Sequence, residues 1–310
     1  MIMYVHLLFW FDSCTTNYFI LLGIKALMNK SFSISIILLL AVVVMSMIGI
    51  YPLKQMAYAH TFSGDESAAF LALVKQIEAE IGLVDTNLSS NITMAQEHAE
   101  HATEHLDTNT TKELAERNKR VANDLTTELA DLQRVVKAEP APTVQVLKDK
   151  VSNINDTLQE AVSVRIEKDQ LTNSTINALA INDILGEVLE HYGAAYGIEE
   201  QEEGKEYHTT ETETNTTGTE ASTNTTTIID LAEYQSAQAY ANEAKQMFDE
   251  IKVLAPSNTT LAISNVGSGL DEMISAVYNK APFTTVDEIV DNKVLPSLKT
   301  AFNLTQLSLE

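Results

Sequence analysis

DESAAFLALVKQIEAEIGLVD, residues 65–85, decides the fold class. Phe70, Leu73, Val74, Ile77 and Ile81 recur there at steps of three and four, the period that lays one apolar stripe along an α-helix. The pattern breaks at TNLSSN (86–91) and resumes as a second helix through Leu106. A third helix is expected over 110–137, with Leu114, Val121, Leu125, Leu129, Leu132 and Val136 inward. EPAP (139–142) ends it, because proline lacks the amide donor and clashes with the preceding turn. The next helix carries Val144, Leu147, Val151, Ile154, Leu158 and Ala161. That seam resembles a coiled coil but lasts only about two and a half heptads, so it reads as the core of a bundle. Three more helices are expected at 228–254, 260–279 and 285–302, and Pro296 is expected to kink the last or mark its restart. The expected fold is all-α, one or more bundles built from helical hairpins.

Between 197 and 227 the periodicity vanishes into EEQEEGKEYHTTETETNTTGTEASTNTTT. Acidic, threonine-rich and almost without apolar residues, this stretch cannot bury a core and is expected to be a disordered linker. It divides an N-terminal helical part (60–196) from a C-terminal three-helix part (228–310).

Upstream, MNKSFSISIILLLAVVVMSMIGIYPLKQMAYAH (28–60) has the anatomy of an export signal: basic Lys30, an apolar run over 34–50, and Ala57-Tyr58-Ala59. The run is also close to the ~20 apolar residues of a membrane span, so cleaved signal peptide (28–59) and uncleaved anchor are both open. Residues 1–27 read as an over-extended start and hold both Cys14 and Trp10. From residue 28 onward the chain has no cysteine, which removes disulfides, thiolate metal sites and cysteine nucleophiles together. The expected location is exported, extracellular or at the cell surface, with membrane contact only through the N-terminal segment.

The formal net charge is −23, which repels nucleic acid phosphates, so DNA or RNA is excluded as a partner. Sequons at Asn87, Asn91, Asn109, Asn155, Asn173, Asn215, Asn224, Asn258 and Asn303 are candidate glycosylation sites in an exported chain. The turns at 90–95, 172–177 and 257–262 resemble one another, each closing one helix and opening the next. Their threonines are placed to cap the new helix by accepting an amide hydrogen bond.

EHAEHATEH (97–105) holds three of the seven histidines. At 100° per residue His98, His101 and His105 fall within about 60° of one another, beside an apolar face of Ala95, Ala99, Ala102 and Leu106. His101 and His105 are one turn apart, the spacing that lets two imidazoles grip one ion from a helix. They form the candidate metal site, with one transition-metal ion (zinc, copper, nickel or iron) as the candidate cofactor. His191, after Asp183 and Glu187 at one-turn steps, is the best further ligand; Glu104 is a weaker one. His60 is another, since cleavage after Ala59 would free an amine and a ring that together chelate copper.

No Gly-rich phosphate loop, nucleophile elbow or His-Glu-x-x-His helix occurs, and no enzyme is expected. The HTFSGDESAAFLALVKQIEAE opening (60–80), the Asn/Thr-rich turns and the helical body resemble uncharacterised exported proteins of ammonia-oxidising archaea, a likeness that implies envelope location only. His101-Ala102-Thr103-Glu104 is similar to the His-x-x-Glu core of imelysin-like iron-uptake proteins, which are exported and all-helical. That family's preceding glycine is Ala99 here. Three functions are open to such a chain: a binding or interaction role at the envelope with a protein partner, metal binding for uptake or storage, and the extracellular part of an anchored sensor.

Overall fold

Five helices of this chain begin at a short polar side chain that satisfies an orphan backbone amide. In the computed structural model, which describes residues 64–140, 142–200, 207–209 and 227–305, α1 (Gly64–Asn87) turns into α2 (Ile92–Glu104) at Asn91, whose side-chain Oδ1 accepts from the Met94 amide. Asp107 opens α3 (Thr108–Val136), Thr143 opens α4 (Val144–Arg165), Asn173 opens α6 (Ser174–Ala194) after the single turn α5 (Lys168–Leu171), and Asp230 opens α7 (Leu231–Ile251). At 90–95 and 172–177 the cap is therefore the asparagine and not the threonine two positions on. At 257–262 neither acts: the Thr259 hydroxyl donates to the Pro256 carbonyl, and a 3₁₀ turn leads into α8 (Thr260–Tyr278). The three turns share composition without sharing one capping geometry.

The third helix is not continuous as expected. Asn118 leaves helical geometry (φ −150°, ψ 97°) and its side chain accepts from the Arg120 and Val121 amides, so it ends one segment and caps the next. The last helix is α9 (Phe283–Ile289), a π-helical turn (Val290–Val294) and α10 (Leu295–Phe302). The Leu295 amide reaches back five residues to the Val290 carbonyl. This wider turn carries the chain past Pro296, whose missing N–H would interrupt an α-helical ladder at that point.

Helix α1 is buried on almost every side, including Phe70, Val74, Ile77, Ile81 and Val84, because α2, α4, α6 and α7 all pack on it. Helices α3 and α4 pair through the expected seam, with α3 also on α2. On the other side α8 and α10 cover α7 and α6. The described residues thus form one compact unit, and the parts on either side of the linker share one core.

The expected linker starts differently. Ile198 is buried and Ile198–Glu200 pairs antiparallel with Tyr207–Thr209, while the Ile229 amide bonds back to the Ala195 carbonyl. An apolar residue just past α6 has a core to join, so the chain stays pinned there. Gly197 makes that turn: its φ is +71°, and a Cβ would lie 2.7 Å from the Ile229 side chain. Residues 201–206 and 210–226, with Asn215 and Asn224, lie outside the described residues, as do 1–27, the leader at 28–59, and His60. No helix among the described residues is long and apolar enough to cross a membrane.

Candidate metal centre

Four helices aim ionisable side chains into one space. Helix α2 brings His98 and His101, and His105 stands at its C-terminal cap. The fully buried Ala95, Ala99 and Ala102 keep that face thin enough for imidazoles to lie between helices. Helix α1 brings Glu80, α6 brings Glu187 and His191, and α7 brings Glu233, Gln235 and Tyr240.

Glu80 and His98 are both completely buried. The His98 Nδ1–H donates to Glu80 Oε2 at 2.8 Å and its Nε2–H donates to Gln235 Oε1 at 2.9 Å. Gln235 Oε1 also accepts from Asn87 Nδ2 at 2.9 Å, which fixes the amide orientation. The other Glu80 oxygen accepts from the Tyr240 hydroxyl at 2.7 Å, and Tyr240 meets His105 Nε2 at 2.7 Å. Burial by itself would raise the Glu80 pKa. The hydrogen bond and charge of His98, with Tyr240 and the adjacent Ser236, outweigh it and hold Glu80 below the usual carboxylate range. Burial keeps the Tyr240 phenol protonated, its pKa well above the ordinary value. Burial also lowers His105, against the pull of Glu187 and Glu80. His105 is then neutral, its Nε2–H directed at Tyr240.

The second half of the space is charged differently. His191 Nδ1 lies 2.5 Å from Glu233 Oε2 and its Nε2 3.5 Å from Glu187 Oε2. Burial opposes its protonation, but the two carboxylates raise its pKa to about 10, so it is an imidazolium at neutral pH. Glu233 is in turn held low by His191, against its own burial. Asp183, two turns before His191 on α6, is pushed up to about 6 by burial, with further repulsion from Glu187 and Asp65.

His101 stands between the halves. Its Nδ1 is 3.8 Å from Glu80 Oε2 and its Nε2 3.7 Å from Glu233 Oε1, both beyond hydrogen-bond range. The Nδ1 atom is closed to solvent and has no hydrogen-bond partner. Glu80, His98 and His101 can each turn one ligand atom into a group lying within 4.8 Å of one another.

Of the expected ligands, His98, His101, His105 and His191 converge, with His101 and His191 ring centroids 6.0 Å apart and those of His105 and His191 6.3 Å apart. Glu104 does not join them: it is exposed, on the flank of α2 turned away from the bundle. Only the histidine of the imelysin-like tetrapeptide therefore reaches the site. Asn87 is no glycan acceptor in this fold, since it is buried and its amide donates to Gln235 and to the Leu83 carbonyl. Asn91, Asn109, Asn173, Asn258 and Asn303 are exposed and Asn155 is half-buried.

Sequence reading missed Glu80, Glu233, Gln235 and Tyr240. A signal for Glu80 existed: it lies three residues after Ile77 and four before Val84, inside the apolar stripe, where an unpaired carboxylate would be costly. No known protein family, curated protein or solved structure matches this chain.

Proposed function

We propose that this is an extracytoplasmic metal-binding protein that takes up or stores a first-row transition metal inside its helical bundle. Its ligands are Glu80 Oε2, His98 Nδ1 and His101 Nδ1. The observation that carries the reading is the convergence of those three residues around the unpartnered His101 Nδ1, an atom closed to solvent. Two imidazoles and a carboxylate suit zinc, iron(II), copper or nickel, and leave coordination positions open.

The surroundings support the same reading. A ligating histidine ordinarily donates its other N–H to an oxygen that sets its tautomer and ring angle. Gln235 serves His98 in this way, and Asn87 holds Gln235 in turn. Tyr240 orients Glu80 through the oxygen that faces away from His98. Loading must displace the proton that His98 Nδ1 shares with Glu80, so affinity rises with pH. The extracytoplasmic setting rests on the leader at 28–59.

The test is metal content of protein purified without chelator or His-tag, beside Glu80→Gln. At least one equivalent of a first-row metal, lost in the variant while its helical circular dichroism is kept, supports the proposal. A folded wild-type protein that takes up none of zinc, copper, iron or nickel overturns it. A docking role at the envelope would then stand first, favoured by Val253 and Leu261, each 76% exposed where α7 gives way to α8.

A further inference from the structure

Three exposed apolar side chains sit at one end of the bundle. Val253 and Leu254, in the 3₁₀ turn (Lys252–Leu254) that follows α7, and Leu261, in the first turn of α8, are 76%, 53% and 76% exposed. Helices α1 and α7 run antiparallel, joined by the pairs Asn87–Gln235, Glu80–Tyr240 and Lys75–Glu243. Ile251 lies eight residues beyond Glu243, and Gly64 eleven before Lys75. At about 1.5 Å per residue, the end of α7 and the start of α1 are level to within about 5 Å. The exposed turn is therefore at the end of the bundle where the chain arrives from the apolar run at 34–50. Only residues 51–63 intervene, and a segment of that length reaches at most about 45 Å.

This turn can leave water at little cost. The Thr259 amide and hydroxyl both donate to the Pro256 carbonyl, at 3.0 and 2.7 Å, and the Thr260 hydroxyl donates to the Ser257 carbonyl at 3.0 Å. Polar groups already paired within the turn lose nothing when their surroundings become apolar. From Ile251 to Leu270 the sequence holds one charged residue, Lys252, and Asp249 neutralises it at 2.8 Å. On a chain of net charge −23 this is a neutral, apolar turn, suited to zwitterionic lipid and with no attraction for an anionic surface.

Reading the run at 34–50 as a retained membrane anchor, we propose that Val253, Leu254 and Leu261 insert into the headgroup–acyl boundary of the same bilayer. The bundle then rests on zwitterionic lipid by the end at which α1 starts. The anchor keeps the turn at high effective concentration near the surface, so a few apolar side chains suffice where an untethered turn would not. Membrane contact extends beyond the N-terminal segment, and it does so independently of metal binding. A glycan on Asn258, inside this turn, would hold it off the lipid, so Asn258 is unmodified in the docked protein.

The full chain in phosphatidylcholine vesicles tests this, with Trp10→Phe removing the one native tryptophan. Leu254→Trp then reports on the turn, and Leu231→Trp, at a site 47% exposed at the opposite end of α7, reports on the far end. Brominated phosphatidylcholine is expected to quench the Leu254→Trp emission several-fold more strongly than the Leu231→Trp emission. Adding Val253→Asp and Leu261→Asp is expected to bring the two to the same level, with helical circular dichroism unchanged. Equal quenching at both ends without those changes overturns the proposal. So does a blue-shifted Leu254→Trp emission that bromine leaves unquenched, because a second copy or another protein would then cover the turn. A full chain that fails to float with the vesicles removes the anchor and the proposal with it, and a glycan found on Asn258 of the membrane-bound protein also overturns it.

Discussion

Helices α3 and α4 bury leucine, isoleucine and valine against one another, whereas α1, α2, α6 and α7 bury glutamate, histidine, glutamine and asparagine. In the α3–α4 seam Leu114, Val121, Leu125, Leu129 and Leu132 meet Leu147, Ile154 and Leu158, all essentially free of water. Most charges of that hairpin stay outside, as in the exposed Arg120–Asp124 pair, and the exception, the buried Arg165 at the end of α4, is paired with Glu113 of α3 at 2.6 Å. In the central bundle Glu80 and His98 are as inaccessible as any leucine. A buried ion pair generally adds little stability over a well-packed apolar pair, and breaking it costs more than never having it. The seam is thus what packing alone builds, and the central bundle is what packing alone would not choose.

Two truncations sharpen this contrast. Glu80→Ala leaves His98 Nδ1 and the Tyr240 hydroxyl without their buried partner, and is expected to cost about 3–5 kcal/mol in urea unfolding and to abolish metal uptake. Leu129→Ala in the seam is expected to cost about 2–5 kcal/mol by opening a cavity, with metal stoichiometry unchanged. If Leu129→Ala also lost the metal, the two regions would not be energetically separate.

The next effect is pH-dependent. The folded-state pKa of His191, about 10, lies above the ordinary 6.5, so its stabilisation is fully present below pH 6.5 and is lost as pH rises towards 10. Metal-free protein should lose on the order of a few kcal/mol over that window, and His191→Gln should flatten the curve. An equally steep curve in the variant would place the titration elsewhere.

Asp183 gives the smallest effect. Its pKa of about 6 lies above the ordinary 3.8, so the fold binds a proton that the unfolded chain releases, and stability falls between pH 3.8 and 6. Asp183→Asn should gain on the order of 1–2 kcal/mol at pH 7 after discounting for partial exposure, and little at pH 4. Thermal unfolding at the two pH values measures the difference.

The α3–α4 hairpin was almost fully legible, because a stripe of leucine and valine at helical spacing admits one reading. Its break at Asn118 was not, since an asparagine in a helical pattern looks solvated until its side chain is seen accepting amides. The centre was half legible. His98, His101 and His105 announce themselves because one helix carries them, and the Asp183-Glu187-His191 spacing pointed to the fourth histidine. Glu80 was hidden among isoleucines, and Glu104, one turn beyond Glu100 on the same surface flank, looked equally available.

What the amino-acid order determined by itself is periodicity: where helices run, which face is apolar, and which histidines share a turn. Those are local consequences of 3.6 residues per turn, and they need no partner. Which carboxylate meets which imidazole is set by tertiary packing alone. Glu80 and His98 are joined by a tight turn, but Gln235, Glu233 and Tyr240 arrive from across the 197–227 segment. That meeting depends on α6 and α7 packing against α1, a long-range outcome of shared core burial that no local pattern encodes.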